Sequence, residues 1–231
     1  MLKLKIMLRS ILRALRINKV LFRYFYPSGY EQKFDDAMFS EIKSGDIIWD
    51  VGANIGYYTI KFSEAAGQGG FVQGFEPMPN TFEILKKAVS GYTNIGLTCC
   101  ALGQSDCKLA MLNDAEVGSP TNKIHISDTP SSGDNIVMIK VRSGDSLIKS
   151  KELKVPNFIK IDVEGHESDT IEGITDLLKV PELRTLAIEI HFALLEERGL
   201  RDAPRDIVAK LKQNNFNVFW TDPSHIVATR S

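Results

Sequence analysis

The sequence is poor in the features that most quickly sort a chain into a class. It has three cysteines in 231 residues, Cys99, Cys100 and Cys107. Their spacing fits neither a zinc site nor an even disulfide framework, so a reducing, cytoplasmic compartment is the simpler reading. Formal net charge is only −1, which gives no reason to expect nucleic acid as a partner. No uninterrupted apolar run is long enough to span a bilayer, and there is no internal repeat or low-complexity tract. What remains is a globular balance, 43% hydrophobic and 25% charged, at a length that suits one domain with a sizeable core.

Acids are missing from the first 30 residues, the first being Glu31. Lys5, Arg9, Arg13, Arg16 and Arg23 fall on one helical stripe, with Met7, Ile11, Ala14, Leu21, Phe22 and Phe25 roughly opposite. The basic residues recur along the whole segment, unlike a secretory signal. Residues 1–26 therefore read as a basic amphipathic helix. Such a helix can lie peripherally on the inner face of an anionic membrane, or pack on this protein's core or a second subunit in a homo-oligomer. Pro27-Ser28-Gly29 ends it, dividing the chain into a helical segment over 1–30 and a main domain over 31–231.

The main domain is organised around Asp46 to Thr59. Ile47 to Trp49 is an apolar run of the kind found in a buried parallel strand. It meets Asp50, passes through Val51-Gly52-Ala53-Asn54-Ile55-Gly56, and enters a helix over 57–66. Glycines at 52 and 56 allow a sharp turn and close approach of a ligand, at the carboxyl end of a strand, where open α/β sheets bind ligands. The dinucleotide fingerprint G-x-G-x-x-G is absent, and an acid precedes the first glycine. A carboxylate there repels a diphosphate and suits a cationic, phosphate-free ligand; S-adenosylmethionine has that character.

Phe71 to Phe75 forms the next strand and ends at Glu76, an acid placed to accept hydrogen bonds from ribose hydroxyls. Asn80 and Glu83 read as a capping box for a helix to about Val89. Ile95 to Cys100 is a third strand, and the Ala101-Leu102-Gly103 that follows offers a small apolar wall for an adenine face. Cys107 to Leu112 and Ile136 to Val141 read as an antiparallel pair. The polar stretch between them is long enough to be a lid or binding loop.

A second dense stretch is Phe158-Ile159-Lys160-Ile161-Asp162-Val163-Glu164-Gly165-His166-Glu167. A buried strand ends in three carboxylates and an imidazole, a set that perturbs its own pKa values and supplies bases or metal ligands. One amphipathic helix is expected from Thr170 to Leu178, stopped by Pro181. Arg184 to Ile190 is a fifth strand, with Glu189 and His191 on one side by alternation. A helix over 204–214 and a hairpin around Asp222-Pro223-Ser224 close the chain.

Taken together, D-V-G-A-N-I-G-Y-Y-T, F-E-P, K-I-D-V-E-G-H-E and I-E-I-H resemble the FkbM-type S-adenosylmethionine-dependent methyltransferases, from about Asp46 to His191. The resemblance implies an α/β fold of class I methyltransferase (Rossmann-like) type: a seven-stranded, mostly parallel sheet, helices on both faces, last strand antiparallel. It implies O-methylation, commonly of a sugar hydroxyl on a glycan, glycolipid or secondary metabolite. By matching positions, Asp50, Gly52, Asn54 and Gly56 line the methionine end of the cofactor, Glu76 holds the ribose, and Ala101 and Leu102 lie near adenine. Asp162, Glu164 and His191 face the methyl-transfer centre, with Asp162 or His191 as base. His166 stands where the family often has a small or apolar residue, leaving its part open. A divalent ion on Asp162 and Glu164 is an alternative; lacking a two-histidine set, the motif favours a metal-independent reaction. Other acceptors (a lipid head group, a protein carboxylate, a small-molecule acid) and a non-catalytic membrane-associated scaffold are the rival readings. Acids at three strand ends argue against the scaffold.

Overall fold

The computed structural model describes residues 29–112 and 136–230. The amphipathic segment over 1–26 and the polar stretch between the antiparallel strands lie outside them. Helix α1 (Gly29–Ser40) leads into β1 (Ile47–Val51), α2 (Tyr57–Ala66), β2 (Phe71–Phe75), α3 (Pro79–Ala88) and β3 (Ile95–Thr98). Short β4 (Ala101–Leu102), β5 (Cys107–Leu112) and β6 (Ile136–Arg142) follow, then α4 (Gly144–Lys149), β7 (Phe158–Ile161) and α5 (Glu167–Glu172). The chain ends with β8 (Thr185–Glu189), α6 (Phe192–Glu197), α7 (Ala203–Gln213), β9 (Asn217–Trp220) and β10 (His225–Thr229).

Seven strands form the main sheet in the order β3-β2-β1-β7-β8-β10-β9. The first five are parallel, and β10 runs antiparallel to both β8 and β9. This is the class I methyltransferase architecture. Strand β1 sits beside the point where the strand order reverses, which places its carboxyl end at the crevice of the sheet. A small sheet, β4-β6-β5, stands apart from the main one, with β5 and β6 antiparallel and Cys107 opposite Val141.

Why β1 reads as an unbroken apolar run follows from its two covered faces. Ile48 packs with Phe62, Ala66, Val72 and Phe158 on one side. Trp49 packs with Phe75, Ile159 and Ile171 on the other. A strand covered on both faces has no solvent side on which to place polar residues.

Three expectations need correcting. Helix α3 is not capped by Asn80 with Glu83: its N-cap is Met78, with Pro79 in the first turn and no side-chain cap. Proline supplies the preset φ and has no N–H to satisfy. The single helix expected from Thr170 to Leu178 is two pieces, α5 and a 3₁₀ turn over Leu177–Lys179. Between them Gly173 lies against β4, where a Cβ would sit 1.9 Å from the Gly103 carbonyl oxygen. Helix α6 was not foreseen; it is six residues long and buries only Leu195, too short to show a periodic apolar stripe.

Trp49 is completely buried and meets the Phe75 ring edge-on at 5.3 Å. Trp49→Ala is expected to lower stability by roughly 3–5 kcal/mol, measurable by chemical denaturation.

Candidate active site

The loop after β1 is shaped by close approach. Gly52 has φ +85°, and a Cβ there would fall 1.9 Å from the backbone oxygen of Asp162. Only glycine lets the β1 loop pass this near the end of β7. The N–H groups of Gly52 and Ala53 both donate to the Phe75 carbonyl, at 3.1 and 2.9 Å, which stitches the loop to β2. Asn54 takes a left-handed conformation at φ +51°, and its N–H donates to Glu76 Oε2 at 3.1 Å. The other Glu76 oxygen accepts from Met78 N–H at 2.9 Å. Glu76 is 7% exposed. Burial pushes its carboxyl up to about 7, against the opposing pull of the two backbone donors.

A cavity of about 340 Å³ opens above this carboxyl edge of the sheet. Gly52, Asn54 and Glu76 line one part of it, Ala101 and Leu102 another, and Asp162, Glu164 and His166 a third. Asp50 and Gly56, also matched to the cofactor, are not in its wall. Asp50 is fully buried, accepts a hydrogen bond from Thr59 Oγ1 at 2.6 Å and lies 3.7 Å from Lys160 Nζ. It points back into the sheet because β1 continues through it to Val51. Gly56 packs against α3 instead, with space for a Cβ closed by Leu85 at 2.8 Å.

Lys160 was quoted in the sequence only as part of a strand. It is 3% exposed and stands in register beside Asp50. Its ammonium is 3.2 Å from Asp162 Oδ2 and 4.6 Å from the centre of the Tyr58 ring. Burial pulls its pKa down, but the carboxylates of Asp162 and Asp50 outweigh this and hold it above the ordinary value. The signal was available: a lysine inside a fully buried strand needs an anionic partner.

Asp162, Glu164 and His191 come together, although they belong to different strand ends. Glu164 and Gly165 adopt φ +48° and +90°, turning the chain sharply. The His191 Nδ1–H donates to Glu167 Oε1 at 2.7 Å, and that oxygen also accepts from Gly165 N–H at 2.9 Å. Glu167 is completely buried. The other ring nitrogen, Nε2, is 3.3 Å from Glu164, 3.6 Å from Glu189 and 3.8 Å from Asp162. Burial pulls the imidazole pKa down; the Glu167 hydrogen bond and the surrounding carboxylates overcome it and push it up to about 9. His166 bonds Asp169 at 2.9 Å, and Asp169 pairs with Arg198 at 2.8 Å. All three line the cavity, so His166 belongs to its wall.

A sequence model of the methyltransferase FkbM domain matches residues 50–218. The chain belongs to the FkbM methyltransferase family. Among relatives, hexuronic acid methyltransferase AglP of Haloferax volcanii is 30% identical over 162 residues, covering 70% of this chain and 62% of that protein. The 31-O-demethyl-FK506 methyltransferase FkbM of Streptomyces tacrolimicus is 24% identical over 205 residues, covering 77% and 75%. In structure, SMU.1697c of Streptococcus mutans, solved in complex with SAH, superposes with a TM-score of 0.51 at 14% identity, covering 87% of this chain and 97% of that one; it attests the fold.

The FkbM domain is an S-adenosylmethionine-dependent methyltransferase, and the cavity suits that cofactor. Glu76 sits in its wall at the end of β2, and the side-chain oxygen of Asn54 is buried with no hydrogen-bond partner among the described residues. Buried polar atoms left in this way mark a place for a ligand's donor.

Two outcomes follow. Glu76 titrates near 7 and accepts best when ionised, so cofactor affinity should rise about tenfold between pH 6 and pH 8; Glu76→Gln should abolish the slope, read by calorimetry. Lys160→Met should cost roughly 3–5 kcal/mol at neutral pH by stranding Asp50. That loss should shrink as pH falls, because a protonated Asp50 needs no cation; urea melts at several pH values test it.

Proposed function

We propose that this enzyme transfers a methyl group to a hydroxyl oxygen of a sugar, carried on a glycan, glycolipid or secondary metabolite. The observation that carries this reading is the placing of Asp162 and Glu164 in the wall of the cavity that Glu76 and Leu102 also line, with His191 set behind them, its Nε2 3.3 Å from Glu164 and 3.8 Å from Asp162. The names of the two relatives, one acting on a hexuronic acid and one on an O-demethyl product, support the same class.

When bound, S-adenosylmethionine supplies a methyl on a sulfonium, already activated toward attack. The chain must then do three things. Glu76 and the Gly52–Asn54 loop fix the donor's position, so that one acceptor oxygen can be aligned behind the methyl carbon. The carboxylates of Asp162 and Glu164 accept a hydrogen bond from the incoming hydroxyl, and one of them receives its proton as the new bond forms, with the His191 imidazole held beside them. The apolar wall around Leu102 and Met78 keeps water from competing. Glu167 takes part through His191: by holding Nδ1 it fixes the ring so that Nε2 faces Glu164 and Asp162.

Asp162→Asn should retain cofactor binding and lower kcat by about 10²–10⁴-fold. Transfer of labelled methyl into sugar-bearing acceptors, and not into lipid head groups or carboxylic acids offered in parallel, checks the acceptor class. Label appearing as a base-labile ester would overturn it.

A further inference from the structure

We propose that Asp162, Glu164 and His191 form a binding site for one divalent cation of the manganese or magnesium class. Oδ1 of Asp162, Oε2 of Glu164 and Nε2 of His191 come from three residues whose ligand-capable atoms all lie within 4.8 Å of one another. An ion at ordinary coordination distances of about 2.0–2.4 Å can touch all three from one point.

Three features point to an ion rather than to a self-contained salt-bridge cluster. First, the imidazole is aimed. Its Nδ1–H is held by the fully buried carboxylate of Glu167, the arrangement that orients metal-binding histidines through their second nitrogen. Second, Nε2 is buried and has no hydrogen-bond partner among the described residues. The carboxylates of Glu164, Glu189 and Asp162 stand around it at ion-pair distances of 3.3–3.8 Å. Third, the two oxygens of Asp162 divide their tasks. Oδ2 faces Lys160 at 3.2 Å, and Oδ1 faces His191. Lys160 thereby fixes the orientation of the carboxylate.

The donor set of two carboxylates and one imidazole fits manganese or magnesium better than a thiolate-seeking metal. This departs from the metal-independent expectation, which rested on the lack of a two-histidine set; two carboxylates and one imidazole can hold a hard divalent ion without one. The ion's role rests on the proposed methyl-transfer reading: it would hold the acceptor oxygen and acidify its O–H. The O–H bond breaks, the oxygen keeps the electron pair, and the proton passes to a carboxylate of the Asp162–Glu164 pair, as in the reaction proposed above.

The test uses the full chain, treated with chelator and titrated with manganese chloride, following free Mn²⁺ by electron paramagnetic resonance. Saturable one-to-one binding is expected, weakened at least about tenfold in Glu164→Gln and in His191→Ala. Cofactor binding by calorimetry, through the opposite wall of the cavity, confirms that the variants are folded. In the wild type, bound Mn²⁺ should broaden the imidazole proton signals of His191. Absence of saturable binding by the wild type, or binding unchanged in both variants, overturns the site. Neither readout uses turnover, so the cation site can fail while methyl transfer stands, and an acceptor other than a sugar would leave it intact.

Discussion

The Lys160 ammonium, buried between Asp50 and Asp162, is the contact on which the crevice depends. Asp50 belongs to β1 and Lys160 to the neighbouring β7, and parallel register places them side by side. Their pairing brings the carboxyl ends of the two central strands to one level. Gly52 then passes beside the backbone of Asp162 with no room for a side chain. An unpaired charge at either position would be expelled or neutralised. The pair therefore couples the glycine loop after β1 to the acidic end of β7.

From this centre the edge of the sheet divides in two. Toward β2, Glu76 draws in the backbone of Asn54 and Met78 and closes that side of the cavity. Toward β8, Glu167 and Glu189 gather around His191, and Glu189 reaches a second imidazole, His225, at 3.5 Å. His225 is held by Asp222 at 2.8 Å and stacks on Phe34 of α1 at 4.3 Å between ring centroids. The antiparallel hairpin is thus tied electrostatically to the carboxyl end of the parallel strands as well as by its ladder.

Much of this was readable before any coordinates. The central strands β1, β7 and β8 announced themselves because each is covered on two faces and spells a largely apolar run. The acid at the end of β2 and the glycine turn after β1 did so because few residue types satisfy those backbone conformations and that ligand. Asp50 was legible as important but misplaced: one further residue of strand, Val51, turns its side chain into the sheet and away from the cavity. Helix α6 and the break at Gly173 were invisible, the first for lack of length and the second because its cause is a carbonyl seventy positions earlier in the chain.

By itself the amino-acid order determined the alternation of elements, the family and the carboxylates at strand ends, since these depend on local periodicity and on residues close in sequence. Only tertiary structure decided which of those carboxylates share a site. Parallel pairing set Lys160 between Asp50 and Asp162, and β8 carried His191 to Glu164. Such meetings depend on register between distant strands, a quantity that no single stretch of chain contains.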